Sequence, residues 1–271
     1  INTLEDIKLR EESQQLSLNI PEMEEMIAKE ARAGSRVKKQ EPIMVVIGNP
    51  PYSYESSNNG EWISNLVRDY YKVDGQDLGE RNPKGLQDDY VKFIRFAQWR
   101  IDKSGKGILA FITNHGFLDN PTFRGMRQSL ISTFDGIHIY NLHGNKKKLT
   151  IDVKNQDENV FDIQAGVNIT FAIKGMDREI KYSQLYGNRD YKYNTLFQNS
   201  IFSTKYYEIS PKNSNYFLIC YDDNLSNEYY KFLKIDEIMP INSVGLYTAR
   251  DSLTIHWDRQ TLEINVNKFI N

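Results

Sequence analysis

Residues 43–52 read Ile-Met-Val-Val-Ile-Gly-Asn-Pro-Pro-Tyr, and this stretch decides the fold. Five consecutive apolar residues, most of them β-branched, predict a buried parallel strand over Ile43–Ile47. Gly48 and two prolines end that strand, because proline cannot donate a backbone hydrogen bond. The sequence therefore predicts a stiff loop, Asn49–Tyr52, at the carboxyl end of a strand, where open α/β sheets bind their ligands.

The Asn49–Tyr52 loop carries groups that suit chemistry on an exocyclic amine. The amine of adenine is a poor nucleophile because its lone pair is delocalised into the ring. The Asn49 side-chain oxygen and the Pro50 carbonyl can each accept one amine proton, and the Tyr52 ring offers a face to an unstacked base. Two other interpretations remain open: a purely structural Pro-Pro turn, and an Asn-Pro-x-Tyr sorting signal of the kind found in disordered tails.

Downstream periodicities predict an α/β fold. A helical pattern over Leu86–Ile101 precedes a second apolar strand at Gly107–Thr113, and Asn120 followed by proline predicts the cap of another helix. Alternating residues at 137–139 and 167–173 predict two more strands. This order indicates a doubly wound mixed sheet with an antiparallel hairpin at its edge. The polar segment Ser53–Gly60 has no apolar face, so we expect it to be mobile and to serve as a lid or a DNA-contacting loop.

Three stretches carry a resemblance to a known family. Asn-Pro-Pro-Tyr after an apolar strand resembles the catalytic motif of S-adenosylmethionine-dependent methyltransferases that act on N6 of DNA adenine. Residues 88–100 (Asp-Asp-Tyr-Val-Lys-Phe-Ile-Arg-Phe-Ala-Gln-Trp-Arg) and 114–127 (Asn-His-Gly-Phe-Leu-Asp-Asn-Pro-Thr-Phe-Arg-Gly-Met-Arg) extend it. Together they are similar to the modification region of Type ISP restriction–modification enzymes, in the gamma-type motif order. The resemblance covers Ile1 to Lys174 well and continues more loosely to Asn271.

The resemblance implies roles for individual residues. The catalytic motif consists of Asn49, Pro50, Pro51 and Tyr52, with Tyr52 stacking on the flipped adenine. Asn2 and Phe93 match positions that contact the adenine of S-adenosylmethionine, and Phe171 matches a second base-stacking aromatic. Structural readings remain open for these last three: a solvent-exposed turn for Asn2, and core packing for Phe93 and Phe171.

The resemblance also implies the C-terminal half of a Rossmann-like methyltransferase sheet, followed by part of a target-recognition domain. We expect residues 1–175 to form the catalytic domain. We expect residues 176–271 to begin target recognition, since tyrosines cluster there among Asn, Ser and Lys. Lys146, Lys147 and Lys148 are candidates for contacts to DNA phosphates, although such a run is often only a solvated turn.

The glycine-rich loop that grips S-adenosylmethionine in this family has no counterpart among the 271 residues, since no Gly-x-Gly precedes Ile43. We therefore expect that loop upstream of Ile1 and only part of the cofactor site in this chain. The strand before that loop would neighbour Ile43–Ile47. We expect residues 1–271 expressed alone to be insoluble or molten and not to bind the cofactor, and the upstream segment to restore both properties.

The composition argues against disulfide-bonded, membrane-spanning and metal-binding proteins. The single cysteine, Cys220, excludes an internal disulfide and fits a reducing cytoplasm. No apolar run approaches the roughly 18 residues of a membrane span, and four histidines without ligand spacing predict no metal site. The expected partners are double-stranded DNA and, by resemblance, upstream nuclease and helicase-like regions of the same polypeptide. The alternatives are a non-catalytic DNA-binding module and a protein glutamine-N5 methyltransferase, which shares Asn-Pro-Pro-Tyr.

Overall fold

The computed structural model describes residues 3–5, 26, 29–30, 33–34, 36–38, 41–80, 82–146, 157–212, 214–221, 228–229, 231–241 and 254–270. Asn2, Lys147 and Lys148, and most of the segment before Ile43, lie outside these ranges. The chain divides into two compact units, Ile1–Tyr221 and Asp222–Asn271.

The structure delimits eight strands and six α-helices within the described ranges. The strands are β1 (Val45–Gly48), β2 (Lys72–Val73), β3 (Gln76–Asp77), β4 (Gly107–Asn114), β5 (Gly136–His143), β6 (Val167–Lys174), β7 (Glu179–Gln184) and β8 (Tyr207–Glu208). The helices are α1 (Glu61–Val67), α2 (Asp89–Ser104), α3 (Arg124–Thr133), α4 (Arg189–Gln198), α5 (Ile235–Ile238) and α6 (Arg259–Ile270).

The larger unit is built on a mixed six-stranded sheet in the order β1-β4-β6-β5-β7-β8. β1 runs parallel to β4 and β5 runs parallel to β7, whereas β6 is antiparallel to both β4 and β5. The predicted α/β class and the antiparallel β5–β6 pair are confirmed. The pair lies inside the sheet, because the alternating buried residues Ile180 and Tyr182 form one more strand beyond β5.

Capping explains where α2 begins and ends. The Asp88 side chain accepts a hydrogen bond from the Tyr90 amide, and Gly105 closes the helix in the left-handed region at φ 76°. Between these caps, one face of α2 is buried against β4 and α3 in the main core. The buried α2 residues of that core are Tyr90, Val91, Ile94, Ala97 and Ile101. The cap predicted at Asn120 is confirmed, since its side chain accepts from the Thr122 amide at 3.0 Å.

β1 differs from the buried strand that its sequence predicts. It forms the edge of the sheet in the part of the chain that the structure describes, and it pairs with β4 on one side. Val45 is 60% exposed and Ile47 is 77% exposed. Gly107 allows the close approach of the two strands, because a Cβ there would lie 2.5 Å from the Met44 carbonyl oxygen. The apolar run is therefore a strand, but much of its apolar surface is open.

The smaller unit, Asp222–Asn271, contains α5 and α6. Several of its large apolar side chains are exposed, among them Ile241 and Trp257. Arg259 and Glu263 form an i,i+4 ion pair on α6 at 2.8 Å.

Candidate active site

The Asn49–Tyr52 loop leaves the carboxyl end of β1, as the sequence predicts. The Asn49 and Pro51 residues are exposed, whereas Pro50 is buried and Tyr52 is half-buried. The Tyr52 hydroxyl lies 3.3 Å from the Ile112 carbonyl oxygen of the neighbouring strand β4, and 3.5 Å from Asn49 Oδ1. The loop therefore folds back onto the sheet and presents the Asn49 amide to solvent next to an aromatic ring.

The Tyr52 ring is fixed from the helix side. It packs edge-on against the buried Tyr90 of α2, with ring centroids 6.1 Å apart and an interplanar angle of 84°. Burial, followed by the nearby negative charge of Asp88, raises the pKa of Tyr52 to about 12. The phenol is neutral at physiological pH and stays neutral well into the alkaline range.

Aspartates at the start of α2 continue this anchoring. The Ser53 amide donates to Asp88 Oδ1 at 2.9 Å, so the residue after Tyr52 is bonded to the helix cap. Burial raises the pKa of Asp88, and its hydrogen bonds from the Ser53 and Tyr90 amides act in the opposite direction. The family resemblance includes Asp88 and Asp89 but implies no role for them; their contacts to the loop become visible only in three dimensions.

Of the two residues expected at the cofactor, Phe93 lies in a small apolar cluster. Phe93 of α2 is half-buried, and it packs against a cluster whose buried members are Leu4, Ile63 and Val67. Leu4 follows Asn2 by two residues, but Asn2 itself lies outside the described residues. The structure thus brings Leu4, two residues after Asn2 in the sequence, to the same cluster as Phe93 of α2.

Phe171 and Phe161 differ in their packing relative to Tyr52. Phe171 lies on β6 between Ala110 of β4 and His138 of β5, and its side chain is half-buried. Phe161, which sequence reasoning did not select, packs with Tyr52 against one cluster formed around Tyr140, Leu142 and Val167. The sequence around it, Asp-Glu-Asn-Val-Phe-Asp-Ile-Gln over 157–164, has no regular period that could have marked it.

Other polar groups gather at the carboxyl ends of β4 and β5. A cavity of about 550 Å³ lies beyond β4, lined by Asn114, His115, Gly116, Asp119, Asn120, Pro121, Asn145, Gln164 and Ala165. His115 Nδ1 lies 3.1 Å from Asn141 Oδ1 of β5. Lys146, the one described member of the predicted phosphate-binding run, is exposed, and its amide donates to the Gln164 carbonyl at 3.0 Å.

Two features are absent from the ranges that the structure describes. No group of three or more His, Cys, Asp or Glu side chains there is arranged to hold a metal ion. None of the helices there is long and apolar enough to cross a membrane.

Comparison with known proteins identifies the family. The model of the Eco57I restriction-modification methylase family matches residues 2–148, which is more than half of the chain. The chain belongs to this methylase family. The match spans Asn49–Tyr52, α2 and β4, so the loop and the helix that anchors it lie within the family region. No curated protein matches the chain.

Three solved structures resemble a longer part of this methylase chain than the family model matches. The cryo-EM DrdV–DNA complex matches with a TM-score of 0.70 and 25% identity, covering 89% of this chain and 26% of that one. A nuclease-deletion mutant of the Type ISP enzyme LlaGI, bound to a DNA substrate mimic, matches with 0.70 and 26%, covering 89% and 24%. The DNA-bound Type ISP enzyme LlaBIII matches with 0.67 and 24%, covering 89% and 17%. The chain thus spans about a quarter of the length of these proteins or less, and it shares their fold.

Proposed function

We propose that this chain is the modification part of a restriction–modification enzyme, and that it transfers a methyl group to N6 of an adenine flipped out of duplex DNA. The observation that carries the proposal is the loop after β1. It places an exposed amide, Asn49, beside a buried proline and the fixed ring of Tyr52 at the carboxyl end of a sheet strand.

The chain's own groups act on the amine protons and on the base. The Asn49 side-chain oxygen and the Pro50 carbonyl each accept a hydrogen bond from one N–H of the adenine amine, which draws the lone pair out of the ring and onto the nitrogen. The nitrogen releases one of these protons to solvent after it gains the methyl group. Tyr52 stacks on the unpaired base and holds its amine against these two acceptors. Preorganised acceptors of this kind act most strongly in a site from which water is excluded. No protein nucleophile takes part, so Cys220 is dispensable.

The proposed methyl donor is S-adenosylmethionine, whose sulfonium supplies an electrophilic methyl group when it is bound. The half-buried Phe93 ring, in a cluster with Leu4, fits the adenine of such a cofactor, since an aromatic face beside apolar side chains favours stacking. We propose that Phe93 and the segment containing Asn2 hold this adenine.

A second aromatic contact to the flipped base has two candidates. Phe171 is the residue that the family resemblance favours. Phe161 is supported by its packing on the same apolar cluster as Tyr52, which Phe171 does not join. We therefore rank Phe161 ahead of Phe171 as the residue on the far side of the base.

The proposed partners and organisation follow from the relatives. DNA is the partner in the three structures that resemble the chain. We propose double-stranded DNA as the substrate here, residues 1–175 as the catalytic part and residues 176–271 as the beginning of target recognition. The proposal includes Lys146, Lys147 and Lys148 as phosphate contacts, neighbouring nuclease and helicase-like regions, and a cytoplasmic location.

Methyl transfer from radiolabelled S-adenosylmethionine tests the proposal. The full-length protein is incubated with duplex DNA of varied sequence or with a mixture of proteins, and the labelled product is separated. Label in DNA supports the proposal. Label in protein glutamine favours the alternative enzyme that shares Asn-Pro-Pro-Tyr, and DNA binding without any label favours a non-catalytic recognition module; either result overturns the proposal.

A further inference from the structure

The segment after Tyr52, predicted to be mobile, is fastened to the first turn of α2. Asp88 Oδ1 accepts the Ser53 amide, and the Asp89 amide donates to the Ser53 carbonyl at 3.3 Å. These bonds lie next to the contact between Tyr52 and Tyr90 in the same turn. Contacts from three consecutive residues, Asp88 to Tyr90, therefore leave Tyr52 and Ser53 little freedom.

A buried lysine holds the distal part of this segment. Lys92 is 0% exposed, and its Nζ donates to Ser56 Oγ at 2.9 Å, to the Asn58 carbonyl at 2.6 Å and to Asn59 Oδ1 at 3.1 Å. All three donors of the ammonium are thereby used. Asp89 Oδ1 accepts from Ser56 Oγ at 2.5 Å and from Asn58 Nδ2 at 2.9 Å, so the Ser56 hydroxyl joins the lysine to the carboxylate.

This arrangement is costly for a helix that only needs to cover the core. A buried ammonium and a buried carboxylate both lose hydration, and an apolar pair of the same volume is often as stable. Burial lowers the pKa of Lys92, while the negative charges of Asp89 and Asp88 act in the opposite direction. What the buried charges provide is a defined path for a polar segment that has no apolar face of its own.

We propose that Lys92 and Asp89 are positioning residues for the methyl transfer, acting through Ser56 and Asn58 on the loop that carries Asn49. The inference rests on the proposed function. Neither residue contacts the base; each fixes the segment immediately after the acceptor loop. Since a misplacement of about 1 Å at a reacting group costs about a hundredfold in rate, the held segment determines how well the Asn49 oxygen meets the amine proton.

The test compares substitutions in the full-length protein. Lys92→Met keeps the length of the stem and removes the ammonium, and Ser56→Ala removes the hydroxyl that Lys92 and Asp89 share, whereas Ser56→Thr retains it. Arg127→Met is the matched control, because Arg127 is also 0% exposed and donates to three carbonyls, those of Phe117, Asn120 and Asn215, none of them in the loop. All variants are assayed at a temperature where their melting curves show them folded.

Two readouts are measured: methyl-transfer kinetics, and hydrogen–deuterium exchange of the peptide covering residues 49–60. We expect Lys92→Met and Ser56→Ala to lower kcat about tenfold to a hundredfold with little change in KM for DNA, and to speed exchange in that peptide. Ser56→Thr should recover most of kcat, and Arg127→Met should leave both readouts near wild type.

The outcomes separate the two proposals. Wild-type kcat and wild-type exchange in Lys92→Met, in a protein that methylates DNA, overturn the positioning role and leave the proposed function standing. Equal losses of kcat in Lys92→Met and Arg127→Met mean a general structural effect and also overturn it. A wild-type protein that transfers no methyl group to DNA overturns the positioning role together with the proposed function.

Discussion

Two loops at the carboxyl edge of the sheet are each held by a fully buried lysine, but in different ways. The Asn49 loop, residues 49–60, is bonded by Lys92 through a hydroxyl, an amide oxygen and a carbonyl. The Asp157 loop, residues 157–166, is bonded by Lys192 of α4. Its Nζ donates to Asp157 Oδ1 at 2.7 Å, to the Leu142 carbonyl at 2.7 Å and to the Glu158 carbonyl at 2.6 Å.

The difference lies in what is left behind when the lysine is removed. Lys192 forms a direct ion pair with the mostly buried Asp157, so its loss leaves a carboxylate without its counter-charge. The acceptors of Lys92 are neutral, and Asp89 reaches it through the Ser56 hydroxyl. We infer that the Lys192 contact mainly maintains the fold, whereas the Lys92 contact mainly sets the geometry of a loop.

The largest expected effect is on stability at Lys192. Removing one partner of a buried ion pair costs about 3–5 kcal/mol, whereas leaving neutral acceptors unpaired costs about 1–3 kcal/mol. Lys192→Met should therefore lower the melting temperature more than Lys92→Met, yet lower the methylation rate less when both are folded. Calorimetry with rate measurements at a permissive temperature checks this; a smaller loss of stability in Lys192→Met than in Lys92→Met would contradict the different roles of the two lysines.

Asn49 and Asn159 differ in the same way as Lys92 and Lys192: we expect one to serve the reaction and the other to maintain the fold. Asn49 is exposed, whereas Asn159 is 1% exposed and bonded to the Gly144 and Ala165 carbonyls and the Phe161 amide. Asn49→Ala should lower the transfer rate by a factor of about 10² to 10³ without loss of stability. Asn159→Ala should show the reverse pattern, with a lower melting temperature and a much smaller loss of rate. An active Asn49→Ala enzyme would contradict the proposed chemistry.

A smaller effect is expected at Tyr52, where the ring and the hydroxyl can be separated. Stacking of one base on an aromatic ring contributes about 1–3 kcal/mol, so Tyr52→Ala should weaken binding of a flipped adenine about 10- to 100-fold. Tyr52→Phe should change it only a few-fold, because the hydroxyl contacts to Ile112 and Asn49 are long, at 3.3 and 3.5 Å. Fluorescence of 2-aminopurine at the target position measures both; a large loss in Tyr52→Phe would assign the role to the hydroxyl instead.

The smallest expected effect is a pH dependence of the free energy of unfolding, caused by His143 near Lys192. His143 follows Leu142, and burial lowers its pKa from 6.5 to about 4, opposed by its hydrogen bond with Gln184. The unfolded state therefore binds the extra proton first, and stability falls as the pH drops from 6.5 towards 4. The loss between pH 7.5 and 5.5 should be about 1 kcal/mol.

His143→Asn removes the titrating group at a position with φ 53°, a conformation that asparagine tolerates. The variant should lose less stability than the wild type between pH 7.5 and 5.5. Thermal melting at the two pH values checks the difference, and an identical pH dependence in both proteins would exclude His143 as its source.

The ends of the strand and of the helix near the site could be predicted from short stretches of sequence. The prolines after Ile47 mark the end of β1, and Asn120 before proline marks a cap, since each depends on neighbouring residues alone. The fold class followed from periodicities over β4, β5 and β6. Exposure of β1 was not predictable, because an apolar run reports that a strand can be buried and not which neighbours cover it.

The anchoring of the two loops was not predictable from the sequence. Lys92 and its acceptors are separated by more than 30 residues, and Lys192 and Leu142 by 50. The polar segment Ser53–Gly60 is expected to be mobile because it has no apolar face of its own. The sequence does not show which distant residues bind it. β7 was missed for a related reason: only Ile180 and Tyr182 alternate in a stretch that is otherwise polar.

In the mechanism that we propose, the Asn49 loop directs methylation to the exocyclic amine of adenine. Its most direct test is nucleoside mass spectrometry of duplex DNA after incubation with the full-length protein and S-adenosylmethionine, with Asn49→Ala as the control. We expect N6-methyladenine in the wild-type reaction and its near absence with the variant. Methylcytosine as the product, or equal amounts of N6-methyladenine from both proteins, would contradict it.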